Sequence, residues 1–328
     1  MPIETVLLTG ATGFVGSHVV EAMVGRAPRV RALIRKTSRR DHLEQHGVEP
    51  VVADLADVES VVSALDGADV VVHMAAVLRG GSAEEFERVN AAGTSTIVEA
   101  IKKSKRRPRR LVYLSSLAAV GPARNGKPVR AIDEPMPLTA YGRSKLAGER
   151  ISRGAEPGTE VVIMRAPAVY GPRDRDVFEF FRLANRGFLP IPSGPPRLLQ
   201  MIHVSDLARA LALAATADVL SGVYHIAEQQ AYSWEEVGRL VGIAVGRNAR
   251  PLRIPAGIIE VAGALSETAS NLIGKPAIFT RDKARELLAP GWLCETEAAR
   301  AAFGFEAEKR LPEGLAETAN WYRAQGWL

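Results

Sequence analysis

The 328-residue chain is 47% hydrophobic and 24% charged, the balance of a soluble globular protein with room for one large domain or two smaller ones. Its single cysteine, Cys294, excludes an intramolecular disulfide framework and fits a reducing compartment, where it reads as a packed side chain. No apolar run reaches the roughly 18 to 20 residues that span a bilayer, and no signal peptide is visible, so the chain reads as soluble and cytoplasmic.

The net charge of +5 is local in origin. Residues 102–110 carry seven basic side chains, and removing seven charges from +5 leaves −2. A cluster confined to one junction argues against a nucleic-acid surface. It reads as a solvated helix C-terminus, where cations meet unpaired carbonyls. Contact with phosphate or an anionic membrane is the alternative.

The first predicted strand covers 5–9 and runs into Thr9-Gly-Ala-Thr-Gly-Phe-Val-Gly16, which opens a helix over 14–25. Gly10, Gly13 and Gly16 allow a tight turn, a close backbone approach to a pyrophosphate, and close helix–strand contact. The helix N-terminus, with the backbone of Thr12, Gly13, Phe14 and Val15, offers free amides to phosphate. A glycine turn used only for packing is the bland reading.

The second strand, 29–34, ends in Arg35-Lys36-Thr37-Ser38-Arg39-Arg40. A site for NAD(H) usually carries a carboxylate there for the ribose hydroxyls, and none precedes Asp41. A guanidinium grips a 2′-phosphate instead. Arg35 therefore favours NADP(H) over NAD(H), against the plain alternative of an exposed basic loop. Asp54-Leu55, after the third strand (49–53), is placed to meet the adenine edge. Ala75-Ala76, after the fourth (69–73), lets backbone approach the cofactor.

Helices over 57–66 and 84–104 and a strand over 111–115 continue the alternation. Ser115-Ser116 ends that strand, which on its own is a common way to cap a turn. The helix over 138–153 carries Tyr141-Gly-Arg-Ser-Lys145. Tyrosine and lysine four residues apart share a helix face, so the ammonium is expected to lower the phenol from its usual value of about 10. Many surface helices hold this spacing by chance.

A strand over 161–165 completes six strands alternating with helices, the pattern of an α/β doubly wound parallel sheet. Residues 171–200 are rich in Gly and Pro, with a short helix at 176–186. A strand at Met201–Val204, a helix from Ser205 and a strand at Val223–Ile226 return the chain to the sheet. The tail from 232 is mainly helical. The expected organisation is a nucleotide domain over 1–170, re-entered at about 200–227, and a smaller substrate-binding lobe from 171–199 and 228–328. Ligands bind such sheets in the crevice at the strand C-termini.

Taken together, these motifs resemble the extended short-chain dehydrogenases/reductases, also called the NAD-dependent epimerase/dehydratase family. The resemblance runs from residue 5 to about 227 and, more weakly, to the C-terminus. It is carried by Thr9–Gly16, Asp54-Leu55, His73-Met-Ala-Ala76, Asn90 with Gly93-Thr94, Ser115-Ser116, Tyr141–Lys145, Arg165–Pro172 and His203-Val-Ser-Asp-Leu207. It implies a Rossmann fold, a small-molecule substrate, a homodimer and a Ser116–Tyr141–Lys145 catalytic group that needs no metal. Ser116, five residues before Gly121, matches the family serine better than Ser115. Tyr141, Lys145, Pro167 and Val169 would also touch the cofactor.

The branch is read from departures. Sugar-nucleotide members usually place an asparagine within the segment held here by Pro167-Ala168-Val169, and often an arginine at the position of Leu199. The apolar stretch 254–274 suggests a greasy lobe over the site, although apolar helices are more often core. The chain looks more like the 3β-hydroxysteroid dehydrogenase and dihydroflavonol reductase branches than the nucleotide-sugar epimerases and dehydratases. His42 and His46, one helical turn apart beside Asp41, offer too few fixed ligands for a metal. His203 reads as structural. Arg173 and Arg175 face either an anionic part of the substrate or solvent.

Overall fold

The computed structural model describes residues 2–78, 82–273 and 279–328, with only the backbone of 271–273. Seven parallel strands form the central sheet. They are β1 (Thr5–Thr9), β2 (Arg29–Ile34), β3 (Glu49–Val52), β4 (Val70–His73), β5 (Arg110–Ser116), β6 (Glu160–Ala166) and the return strand Gly222–His225. Their order is return strand–β6–β5–β4–β1–β2–β3. The order of strand addition reverses beside β1, and β1 and β4 are neighbours. That junction is the crevice where such sheets take ligands.

Both sheet faces are covered, so the strands read as continuous apolar runs. Alternation sends Val6 and Leu8 to one face and Leu7 to the other. The first face packs on α1 (Phe14–Met23) and the helix Val204–Thr216; Val19, Met23, Leu207 and Leu211 are buried there. The second packs on α3 (Val58–Leu65) and α5 (Gly93–Lys103) through Val61, Leu65, Ile97 and Ile101. Between these elements run the short α2 (Asp41–Gln45) and α4 (Ala83–Phe86). Each fully buried Leu or Ile contributes about 1.5–3 kcal/mol. Truncating Leu7 to Ala, at the centre of one face, costs about 2–5 kcal/mol.

The expected helix over 84–104 is not continuous. A π-helical turn at Glu87–Ala92 separates α4 from α5. Its cause is Asn90, whose side chain is pulled off the helix axis to bind Val77 and Ser144. Such turns concentrate at functional sites. The helix α6 (Ala140–Ser152) starts at Thr139, whose hydroxyl accepts from the Gly142 amide. That cap fixes where Tyr141 begins its turn.

The C-terminal part has its own core, from Tyr170, Phe181, Leu189, Tyr232, Val237, Leu315 and Tyr322. A two-stranded parallel ribbon, Phe188–Pro192 with Arg250–Ile254, leads through Pro255 into the helix Ala256–Ile273. The expected apolar stretch 254–274 falls on these elements, and its last residue lies outside the described residues. No helix among the described residues is long and apolar enough to cross a membrane.

Candidate active site

The glycine turn is shaped by close approach. Gly10 has φ +74°, and a Cβ there would stand 2.8 Å from the Ala75 amide nitrogen. A Cβ on Gly16 would stand 2.0 Å from the Gly10 carbonyl oxygen. Neither position admits a side chain. Gly13 starts α1 with no side-chain cap and no acidic residue in the first turn. Thr12 and Gly13 are exposed; Phe14 and Val15 are half-buried. The first-turn amides thus remain available to an anion. This is the cradle a dinucleotide pyrophosphate requires, and the residues present fit it.

At the end of β2, Arg35 is exposed and heads a turn with Ser38. The Arg35 amide donates to Ser38 Oγ at 3.2 Å, and the Ser38 amide donates to the Arg35 carbonyl. Lys36, Arg39 and Arg40 are exposed around it. Asp54 is exposed and Leu55 half-buried, with Asp54 Oδ1 accepting from the Ala56 amide at 3.0 Å. Ala75 and Ala76 follow β4, and Ala75 lies against Gly10.

A chain of hydrogen bonds ties these strands to α6. The Thr9 hydroxyl donates to His73 Nδ1 at 2.7 Å and accepts from the amides of Met74 and Ala75. His73 Nε2 donates to Thr94 Oγ1 at 3.2 Å, which in turn donates to the Asn90 carbonyl. That direction fixes the imidazole tautomer, because the Thr94 proton is already committed. Burial, then the nearby Lys145, pushes His73 down to about 3, so it stays neutral. The Asn90 amide holds both the Val77 backbone and Ser144, which donates to the Tyr141 carbonyl. The sequence marks Asn90 and Thr94 but not this linkage.

The two serines at the end of β5 part company. Ser115 is buried and donates to Glu149 Oε1 at 2.5 Å. Glu149 is held by Arg165 of β6 through two bonds, 2.8 and 2.7 Å, both groups being buried. Ser116 is half-buried and accepts from the Ala118 amide at 3.1 Å. Its hydroxyl is near enough to the Tyr141 phenol to pull that group's pKa down. The structure therefore brings Ser116 and Tyr141 together and takes Ser115 away. Glu149 and Arg165 were missed as a pair, since nothing in their spacing announces it.

Burial decides the Tyr141 phenol. It is pushed up to about 12, with the Ser116 hydroxyl pulling the other way. The expected lowering by a lysine cation is not seen: the phenol's own desolvation outweighs the other influences on it. Lys145 is 2% exposed, and burial pushes it down to about 7, opposed by Glu149. Its ammonium lies over the Tyr113 ring, 4.3 Å from the centroid. Tyr141 packs edge-on to Phe86 at 5.9 Å. Pro167 is buried and Val169 half-buried where the chain leaves β6.

Other candidates have structural partners. Arg173, with φ +73°, bonds Glu21 of α1 at 2.5 Å, and Arg175 lies over the Trp327 ring at 5.4 Å. His203 Nδ1 accepts from the Ser205 amide and caps a helix. His42 and His46 meet Glu21 rather than Asp41, with donor atoms within 4.8 Å of one another. His42 Nε2 donates to the Ser17 carbonyl at 2.9 Å. Cys294 is buried and its thiol is pushed up to about 12 by burial.

The basic cluster is not simply a solvated helix end. Arg110 is fully buried, bonding Glu160 and the carbonyls of Ala214, Ala217 and Val219. Arg106 pairs with Asp69 and Lys103 with Glu59.

The profile of the NAD dependent epimerase/dehydratase family matches residues 6–227. The chain belongs to that family. It is an NAD(P)-dependent oxidoreductase of the extended short-chain dehydrogenase/reductase type. Ceramide reductase of Caulobacter vibrioides is 35% identical over 326 residues, 98% of this chain and 96% of that protein. Sterol demethylase protein B of Methylococcus capsulatus is 30% identical over 77% of this chain and 80% of that protein. Among solved structures, MoeE5 in complex with UDP-glucuronic acid and NAD is 27% identical with a TM-score of 0.74, over 98% of this chain and 99% of that one.

Proposed function

We propose that this family member is an NADPH-dependent carbonyl reductase, or the reverse dehydrogenase, acting on an apolar or mixed small molecule. The observation that carries it is the nearness of the Ser116 hydroxyl, at the end of β5, to the Tyr141 phenol of α6. Arg35, with no carboxylate before Asp41, supports NADP(H) over NAD(H). Two relatives named for ceramide and sterol chemistry support a lipid-like substrate.

When bound, the coenzyme supplies the hydride to, or takes it from, the reacting carbon. Gly10, Thr12, Gly13, Phe14, Val15 and Gly16 hold the pyrophosphate with backbone, and Arg35 holds the 2′-phosphate. Asp54, Leu55, Ala75, Ala76, Pro167 and Val169 line the remaining coenzyme surface. Ser116 and Tyr141 hydrogen-bond the substrate oxygen. A phenol at about 12 is protonated at neutral pH, so Tyr141 can give its proton to that oxygen in reduction. Two donors aimed where negative charge develops stabilise the transition state over the ground state. Lys145 supplies the positive charge that the resulting phenolate needs.

In this reading residues 171–199 and 228–328 form the substrate lobe, and the protein is a cytoplasmic homodimer. The second reading is a nucleotide-sugar epimerase or dehydratase, favoured by the likeness to MoeE5. Leu199 weighs against it: buried in a strand, it offers no charge to a nucleotide phosphate.

The deciding experiment follows NADPH oxidation across ketones, aldehydes, steroids, sphingoid ketones and nucleotide sugars. Turnover of an apolar ketone is expected. Turnover of only a UDP- or dTDP-sugar, with coenzyme retained through gel filtration, would replace this reading with the second.

A further inference from the structure

The helix Ala256–Ile273 packs along the helix Arg281–Leu288, where a Cβ on Gly263 would stand 2.9 Å from the Thr280 carbonyl oxygen. Its outer face carries Ile258, Val261 and Leu265, exposed by 59%, 58% and 65%. Their spacing of three and four places them on one stripe, with Ala262, Thr268 and Ala269 also exposed beside them. At about 100° per residue the two carboxylates before residue 271, Glu260 and Glu267, lie on the opposite side. Glu267 is turned to the Arg281 amide. The outward stripe is therefore apolar and uncharged.

The ribbon that feeds this helix continues the pattern. Arg253 points to Glu235, so alternation sends Leu252 to the other face, where it is 54% exposed. Phe188, exposed by 58%, pairs with Arg250 across the ribbon, and Arg186 is exposed just before it. Exposed apolar side chains bordered by arginines form the pattern of a surface that enters an anionic lipid interface.

The helix that carries the stripe is linked through its inner face to the helix that carries Tyr141. Asp282 accepts from the Ala140 amide at 2.6 Å, and Glu286 accepts from the Thr139 hydroxyl at 3.2 Å. The helix Arg281–Leu288 thus joins the N-terminus of α6, and so Tyr141, to the apolar helix. We propose that Phe188, Leu252, Ile258, Val261 and Leu265, with Arg186 and Arg250, seat the protein on the surface of an anionic phospholipid bilayer. The side of the molecule that takes substrate then faces the phase in which a lipid-like ketone resides. That consequence rests on the apolar-substrate reading; the docking surface does not.

Sedimentation of the full chain with vesicles tests this. The probes are phosphatidylcholine alone and phosphatidylcholine with roughly 30% phosphatidylglycerol. The wild type is expected to pellet with the anionic vesicles, and less so as salt is raised. The triple variant Ile258→Ser/Val261→Ser/Leu265→Ser should lose binding by roughly tenfold or more, and Arg250→Glu should weaken only the anionic-lipid arm. Thermal melting with NADPH identifies a variant that fails to fold, in which case Arg250→Glu alone carries the test. Absence of wild-type binding overturns the proposal. So does a triple variant that binds vesicles normally but changes oligomeric state, which assigns the face to a second copy. Vesicle binding without turnover of any apolar ketone defeats the substrate reading and leaves the docking surface standing.

Discussion

Ser115 Oγ donates to Glu149 Oε1 at 2.5 Å, and this bond removes Ser115 from the reacting face while leaving Ser116 on it. Adjacent strand residues point to opposite sides of a sheet. One serine therefore stabilises the buried Glu149–Arg165 pair and the other meets Tyr141. Ser116→Ala should lower kcat roughly 100- to 1,000-fold, the cost of one donor at a developing oxyanion. Ser115→Ala should leave kcat within a few-fold and lower the melting temperature. Steady-state kinetics with calorimetry on both variants measures the split. Equal losses of kcat would undo the division of roles.

Lys145 is a buried cation whose pKa falls to about 7 from an ordinary 10.5. The unfolded chain keeps this proton up to about 10.5, so between about 7 and 10.5 it binds more protons than the fold. Stability from this group accordingly rises with pH across that window, and below about pH 7 the full cost of burying the charge remains. Lys145→Met removes the cost and the slope. Its melting temperature at pH 7 should equal or exceed that of the wild type, while kcat falls by about 100-fold or more. Thermal melts at pH 6 to 10 on both proteins are the measurement, and a wild-type melt flat over that range would contradict it.

The same titration sets a rate profile. On the proposed mechanism the phenol, at about 12, keeps its proton throughout the working range, and the charge on Lys145 is the variable. For reduction, kcat/KM for the coenzyme should fall as pH rises through about 7, since this parameter reports the free enzyme. Lys145→Arg should move that limb beyond pH 9, because arginine does not titrate in this range.

Much of this was legible in the sequence. The six alternating strands and the glycine turn were placed to within a residue or two, because apolar periodicity and glycine punctuation are local signals. Tyr141, Lys145 and Ser116 stand out as candidates by spacing and resemblance together. What the sequence hid depends on long-range neighbours. The bulge at Glu87–Ala92 exists because Asn90 reaches Val77 and Ser144, and no local pattern encodes that reach. Arg110 reads as one more solvated cation, yet it is buried against the end of a helix a hundred residues on. A charged lysine one helical turn on predicts an acidic phenol. Burial of the phenol itself reverses that expectation.

Glu149 gives a stability prediction with a clear sign. Glu149→Gln keeps the shape but leaves Arg165 as a buried charge without its counter-ion, and Arg165 Nη1 already lacks a partner. Breaking one side of a buried pair costs about 3–5 kcal/mol. Arg165→Met with Glu149→Leu, which removes both charges, should recover most of that loss. A double-mutant cycle by chemical denaturation measures it. If Glu149→Gln were neutral, the pair would be solvated rather than buried.

The proposed preference for NADPH rests on Arg35. Arg35→Ser removes a charge-assisted contact worth about 1.5–3 kcal/mol, so KM for NADPH should rise roughly 10- to 100-fold while KM for NADH changes little. The argument depends on charge rather than shape, so Arg35→Lys should keep part of the preference and Arg35→Glu should reverse it by repelling the 2′-phosphate. High salt should narrow the gap between the two coenzymes in the wild type, because the exposed guanidinium is screened. Initial rates with both coenzymes, at low and high ionic strength, test all of this together. If the ratio of the two KM values were unmoved in Arg35→Ser, the preference would pass to Lys36, Arg39 or Arg40 on the same turn, or would not exist.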